Sequence, residues 1–231
     1  MAHNKDLDKS SNKDITSFLN KVAAMPVVKK AGERGRLIFA MDATASREAT
    51  WDHACHLQGE MFNETATLGG LDIQLAYYRG FSEFHAAPWY ANAKDLLQRM
   101  SAVQCLGGHT QIAKVLRHTI AETKQKKVNA LVFVGDCMEE NVDELCQLAG
   151  QLAILSVPVF IFHEGFEPIA AKAFQQIAQL SNGAYCPFDA GSAKQLKELL
   201  SAVAVYAAGG QAALEDFNKR AGRPVLRLSH K

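Results

Sequence analysis

The sequence predicts a doubly wound α/β domain over residues 36–206. It should hold a mostly parallel sheet with one antiparallel edge strand and helices on both faces. Three observations predict it. Short apolar runs that stop abruptly at Asp or Gly-Asp recur along the chain, as expected of strands buried on both faces. Stretches with apolar residues every three or four positions separate those runs and read as amphipathic helices. One further stretch alternates and turns back at an Arg-Gly pair, which suits an antiparallel edge. The composition permits this: 231 residues, 48% hydrophobic and 21% charged, is ordinary for a globular chain and long enough for a sizeable core.

Taken in order, Ile15, Phe18, Leu19 and Val22 have helical spacing. They predict a short amphipathic helix within a basic N-terminal segment, residues 1–35. The run Arg36-Leu37-Ile38-Phe39-Ala40-Met41 is the first core strand and stops at Asp42. Ala54, Leu57, Met61 and Phe62 mark a helix after it. Leu71–Tyr78 alternates, Arg79-Gly80 turns the chain, and Phe81–Phe84 runs back. Leu96, Leu97 and Met100 mark a helix before the Gly107-Gly108 loop. Ile112, Leu116 and Ile120 mark the next one. Ala130–Val134 is the second core strand, ending at Gly135-Asp136, and Val142, Leu145, Leu148, Ala149 and Leu152 stripe the helix that follows. Val157–Phe162 is the third strand, its Pro158 tolerable at a strand entry. Ile169, Ala173, Phe174, Ile177 and Leu180 form another helix, Gly183–Cys186 a weaker fourth strand, and Leu196, Leu199, Leu200 and Val203 a closing helix. Residues 207–231 form a basic C-terminal tail, with a hint of helix at Ala213, Leu214 and Phe217.

Charge and cysteine usage narrow the function classes. The formal net charge is +1, so nothing global calls for nucleic acid or an acidic surface. The charge is uneven, with an acidic middle between two basic ends, which either neutralise the body or reach a partner. No apolar run has the roughly 18 residues of a membrane helix, and the opening MAHNKDLDKSSNKD lacks the apolar core of a secretory signal. The five cysteines are odd in number and form no CxxC pair. Free thiols in a reducing cytoplasm are therefore expected.

Chemistry gathers at three places. Asp42-Ala43-Thr44-Ala45-Ser46 follows the first core strand directly. Its three oxygen-bearing side chains alternate with small alanines, so a tight loop can turn them toward one point. Gly107-Gly108-His109-Thr110 is a glycine-rich turn that leads into a helix and can bring the Thr110 hydroxyl to a ligand. Asp136 ends the second core strand. In open α/β sheets ligands sit beyond the carboxyl ends of the strands. Carboxylate and hydroxyl oxygens there are hard donors that suit Mg²⁺ or Mn²⁺. Gly108, His109 and Glu139 would rim such a site. The same residues also permit a plainer reading, since Ser, Thr and Asp at these positions are good helix N-caps.

The order D-x-T-x-S, then G-G-x-T, then an apolar strand ending in Asp resembles the von Willebrand factor type A family, across about residues 36–206. It looks like an intracellular, bacterial-type, single-domain member with a metal-ion-dependent adhesion site. The resemblance implies a Rossmann-like fold. Thr44 and Ser46 would be hydroxyl ligands, Thr110 would ligate directly or through water, and Asp42 and Asp136 would act mainly through water. An acidic residue of a partner protein would complete the shell. Analogy extends to a chaperone or ATPase assembly as the setting. Two departures stand out: Thr44 replaces the commoner Ser, and Val-Gly-Asp-Cys replaces the usual Thr-Asp-Gly around Asp136.

Enzyme readings fare less well. The chain has no G-x-S-x-G elbow, no P-loop and no dinucleotide fingerprint. The nearest enzymatic alternative is a haloacid-dehalogenase-like, Mg²⁺-dependent phosphohydrolase with Asp42 as nucleophile. Position 44 is Thr, so its usual second carboxylate is missing. A scaffold whose metal site is vacant is the other alternative. His53, Cys55 and His56 cluster on the helix after the first strand but lack a second ligand group for zinc. Cys137 reads as packing. Glu139, Glu140, Asp143 and Glu144 read as an acidic first turn of the next helix.

Overall fold

The computed structural model describes residues 12–24, 34–48, 70–165, 167–188, 198–209 and 213. The chain runs α1 (Asn12–Ala23), β1 (Gly35–Asp42), a 3₁₀ turn (Ala45–Arg47), β2 (Leu71–Arg79), β3 (Glu83–Tyr90), α2 (Ala93–Ser101), α3 (Ile112–Gln125) and β4 (Ala130–Gly135). It continues with α4 (Val142–Ile154), β5 (Val159–Glu164), α5 (Pro168–Leu180), β6 (Ala184–Phe188) and α6 (198–209). Among the described residues the sheet has six strands in the order β3-β2-β1-β4-β5-β6. Every pairing is parallel except β2 with β3. The chain winds outward from β1 to β2 and β3, then returns to the other side of β1 with β4. The switch point therefore lies between β1 and β4, and in open α/β sheets it is at such a point, beyond the carboxyl ends of the strands, that ligands bind.

Strand periodicity of two divides the core between the two sheet faces. Leu37, Phe39 and Met41 of β1 point into one layer, with Phe160 and Phe162 of β5. This layer is covered by α1, by Leu96 and Met100 of α2, and by Leu199, Leu200 and Val203 of α6. Ile38 and Ala40 point into the other, with Ile161, and meet α3, α4 and α5. The N-terminal amphipathic stripe is used as its spacing predicts. Phe18 and Val22 are buried in the first layer, and Ile15 and Leu19 pack against its margin. The Phe18 ring lies 5.8 Å from Phe160 and 5.3 Å from Phe162.

The edge hairpin forms with a different boundary. The return strand begins at Glu83, not Phe81, and continues to Tyr90. Gly80 takes a positive φ of 58° and the turn extends over Phe81 and Ser82, which leaves Phe81 77% exposed. Trp89, near the end of this strand, has partners. Its indole N–H donates to Glu122 at 2.9 Å, and the Arg36 guanidinium lies 3.7 Å over its ring. The expected helix at 54–62, with His53, Cys55 and His56, lies outside the described residues, as do Leu196, Leu214 and Phe217.

His118 sits on the inner face of α3 against the edge strands. Its Nε2 lies 2.8 Å from Gln74 Oε1, and its ring meets Phe84. Burial holds the imidazole below its ordinary range. The unfolded chain therefore takes up this proton first as pH falls. The contribution is complete above about pH 6.5 and is lost as pH drops through the folded value. Urea unfolding at pH 7.5 and 5.5 should show a smaller pH-dependent loss in His118→Gln than in the wild type. Equal losses would assign the dependence to other groups.

Candidate metal centre at the sheet switch point

Parallel pairing brings the predicted carboxylates to one edge. Asp42 is the last residue of β1 and Asp136 follows β4, its neighbour. One carboxylate oxygen of each and the Cys137 sulfur lie within 4.8 Å of one another. Asp42 is fully buried. One of its oxygens accepts from the Thr44 backbone N–H at 2.7 Å and the other from the Tyr78 hydroxyl at 3.0 Å. Burial raises its pKa, and Asp136 adds to the rise, while the Thr44 and Tyr78 hydrogen bonds oppose it. Asp136 Oδ1 is buried and has no hydrogen-bond partner among the described residues. A buried carboxylate oxygen left so carries a desolvation cost that a cation would relieve.

The hydroxyl residues are held by the same loops. Thr44 stands before the 3₁₀ turn with no side-chain cap hydrogen bond. Its Oγ1 lies 3.1 Å from the Ser46 hydroxyl. Thr110 does not cap α3 either. Its Oγ1 accepts from the Glu139 backbone N–H at 3.0 Å, while its own N–H donates to the Glu139 carboxylate at 3.1 Å. The free N–H groups of α3 are taken instead by Glu140, whose carboxylate accepts from Ile112 and from Ala113. So the acidic run after Asp136 divides: Asp143 and Glu144 line the first turn of α4 as the sequence suggests, but Glu139 and Glu140 do not. Glu139 and Glu140 reach across to Thr110 and the start of α3, and Asn141 caps α4 by accepting from the Glu144 N–H.

The 103–110 loop is laced to the strand ends. Ala43 donates to the Tyr78 carbonyl, Leu106 to that of Ala43, and Gly80 to that of Leu106. His109 donates through its backbone N–H to Gly80. The His109 side chain is exposed, with Nδ1 3.2 Å from the Glu139 carboxylate and the ring 5.2 Å from that of Phe81. On the far side of the crevice, His163 of β5 steadies Asp136 from below. Its Nε2 lies 3.1 Å from the Asp136 carbonyl, an acceptor, so Nε2 carries the proton. Nδ1 then accepts from the Tyr185 hydroxyl at 2.9 Å.

The sequence matches no protein-family model and no curated protein. Solved structures do match. The SpRpn10 VWA domain superposes with a TM-score of 0.58 at 13% identity, covering 73% of this chain and 94% of that one. An aerotolerance-related membrane protein from Bacteroides fragilis gives 0.55 at 14% identity, covering 72% and 98%. The pilus adhesin SpaC from Lactobacillus rhamnosus GG gives 0.59 at 11% identity, covering 84% of this chain and 31% of that one.

The fold is that of a von Willebrand factor type A domain.

Within this type A fold, four contributors to the site were not evident in the sequence. Tyr78 becomes adjacent to Asp42 only once β1 and β2 pair in register. Cys137 joins the carboxylates directly, yet burial and the neighbouring Asp136 push its thiol up to about 12, so it stays protonated and is a poor partner for a hard cation. Glu140 caps a helix far from it in sequence. Arg47 lies in the turn after Ser46, almost wholly buried, and pairs with Glu164 at the end of β5. Its position next to D-x-T-x-S was a visible signal: a cation placed beside presumptive cation ligands.

Proposed function

We propose that this domain is a protein-binding module, with Asp42, Thr44, Ser46, Thr110 and Asp136 as the ligand set for Mg²⁺ or Mn²⁺. When bound, such an ion supplies a hard Lewis-acid centre that an Asp or Glu of a partner protein can complete. The observation that carries the reading is the buried Asp136 oxygen without a partner among the described residues, in a residue whose carboxylate comes within 4.8 Å of the buried Asp42 carboxylate. The donor chemistry fits, with two carboxylates and a hydroxyl pair at one crevice. Gly108, His109 and Glu139 rim it, and Phe81 and Leu106 beside them are exposed. Such a mixed apolar and polar rim is what a protein partner would cover. A chaperone or ATPase assembly is the setting that family analogy suggests. The matched neighbours include a protein described as an adhesin, which is consistent with binding.

A phosphohydrolase is less well supported. Position 44 offers a hydroxyl where a general acid would stand. The deciding experiment is thermal unfolding with millimolar Mg²⁺ or Mn²⁺, in wild type and Asp42→Asn. An ion at about 100 times its dissociation constant stabilises the folded state by ~2.7 kcal/mol. The midpoint should rise in the wild type and stay put in the variant. An equal rise in both, or none in either, would count against the metal reading.

A further inference from the structure

We propose that Arg47 is the resident counter-cation of the Asp42–Asp136 pair, and that a divalent cation binds against it, so that this arginine weakens the metal affinity. The second half of this rests on the metal reading above; the first half does not.

The strand order makes the case. Arg47 belongs to the turn that follows β1, and its ion-pair partner Glu164 is the last residue of β5. Between β1 and β5 lies β4, and Asp136 stands directly after its end. Neighbouring strands are about 4.8 Å apart. To reach Glu164, the guanidinium therefore has to cross the end of β4, beside Asp136. Its side chain is only 2% exposed there, and that of Glu164 15%. A guanidinium removed from water persists only among opposite charges. Burial pulls the Arg47 pKa down, and Asp136 and then Asp42 are the foremost charges opposing that fall. A planar, always-charged fork suits this better than lysine would, since it can face more than one carboxylate at once. The three carboxylates outnumber the one guanidinium, so the site keeps a negative balance and remains able to attract a cation. It does so less strongly than two unaccompanied aspartates would, because like charges at this range in a partly buried site repel strongly. Because the guanidinium is buried, it is not available to a partner's carboxylate arriving from solvent. Its role is internal.

The test uses the full chain in four forms: wild type, Asp136→Asn, Arg47→Met/Glu164→Gln, and the triple variant. Thermal unfolding is first read in chelator, without metal. Asp136→Asn should lower the midpoint in the wild type, where it removes a partner of the guanidinium. It should raise the midpoint in the double variant, where it removes repulsion with Asp42. A shift of the same sign in both backgrounds overturns the counter-cation assignment. Mn²⁺ binding is then followed through loss of the free-ion paramagnetic resonance signal. The double variant should bind at least tenfold more tightly than the wild type. Equal affinities would overturn the competition while leaving the metal reading intact. Binding by neither protein would remove the metal reading, and with it the competition, while the chelator cycle would still decide the assignment. Should the double variant fail to fold, Glu164→Gln alone replaces it, since Glu164 is partly exposed. That change leaves the guanidinium to the two aspartates and should weaken Mn²⁺ binding several-fold; unchanged or tighter binding would overturn the proposal.

Discussion

Phe18→Ala is expected to destabilise the domain by about 3–5 kcal/mol, the range for truncating a large buried aromatic. The reasons lie in where α1 docks. Phe18 is 1% exposed and inserts its ring between the helix and the two aromatic residues of β5, Phe160 and Phe162. Val22, one turn on, is equally buried. Truncation would remove the ring from contact on several sides, and the flat sheet face cannot collapse to fill the gap. Tilted aromatic contacts of this kind add to simple burial. Urea unfolding should show a lower midpoint with an unchanged slope. A loss below about 1 kcal/mol would mean that α1 is not docked in solution. The sequence expectation set residues 1–35 apart from the domain at 36–206. We propose instead that α1 is an integral layer of the core, so that a fragment starting at residue 36 would be deeply destabilised.

Gly108→Ala is expected to have the second large effect, and at the site itself. A Cβ on Gly108 would fall 1.9 Å from the Gly80 carbonyl oxygen and 2.0 Å from its carbon. These are backbone atoms, and no side-chain rotation relieves the clash. Gly80 is itself held at positive φ by the hairpin turn, so it has little room to retreat. Overpacking of this kind costs about 1–3 kcal/mol, occasionally more. The displaced loop also carries His109 and Thr110, so Mn²⁺ affinity should fall along with stability. Gly107→Ala is the control, because nothing among the described residues lies within 4 Å of its added Cβ. Similar losses in both variants would show that loop entropy, not the approach to Gly80, sets the effect.

What was legible in the sequence was what depends on local pattern. The abrupt ends of Arg36–Met41 and Ala130–Val134 placed Asp42 and Asp136 at strand ends, because parallel strands buried on both faces must be apolar until they emerge. The antiparallel edge was legible from alternation and Arg79-Gly80, but its length was not. Nothing in Phe84–Tyr90 announces that Trp89 will find Glu122 on α3 and Arg36 on β1. The remaining contributors to the site are likewise non-local. Tyr78 meets Asp42 through strand register, Glu140 meets α3 across a loop, and Arg47 meets Glu164 across an intervening strand. Tyr78 and Glu140 are ordinary residues in their own neighbourhoods; Arg47 alone of the three carried a local signal, its place beside D-x-T-x-S. The acidic run at 139–144 was legible only in its second half. Asp143 and Glu144 line the first turn of α4, whereas Glu139 accepts from the Thr110 N–H and Glu140 from the first amides of α3, contacts that no local pattern shows.

The stitching of the two loops has a consequence for any encounter at the crevice. Thr110 and Glu139 exchange hydrogen bonds in both directions, and Glu140 holds the first amides of α3. The walls on either side of Asp136 are thus fixed to each other before anything arrives. Little conformational freedom is left for this chain to lose there on association, so the ordering cost of a complex would fall mainly on the incoming segment. Affinity would then track how rigid that segment already is. A preformed turn bearing one carboxylate would be a better fit than a longer flexible acidic tail.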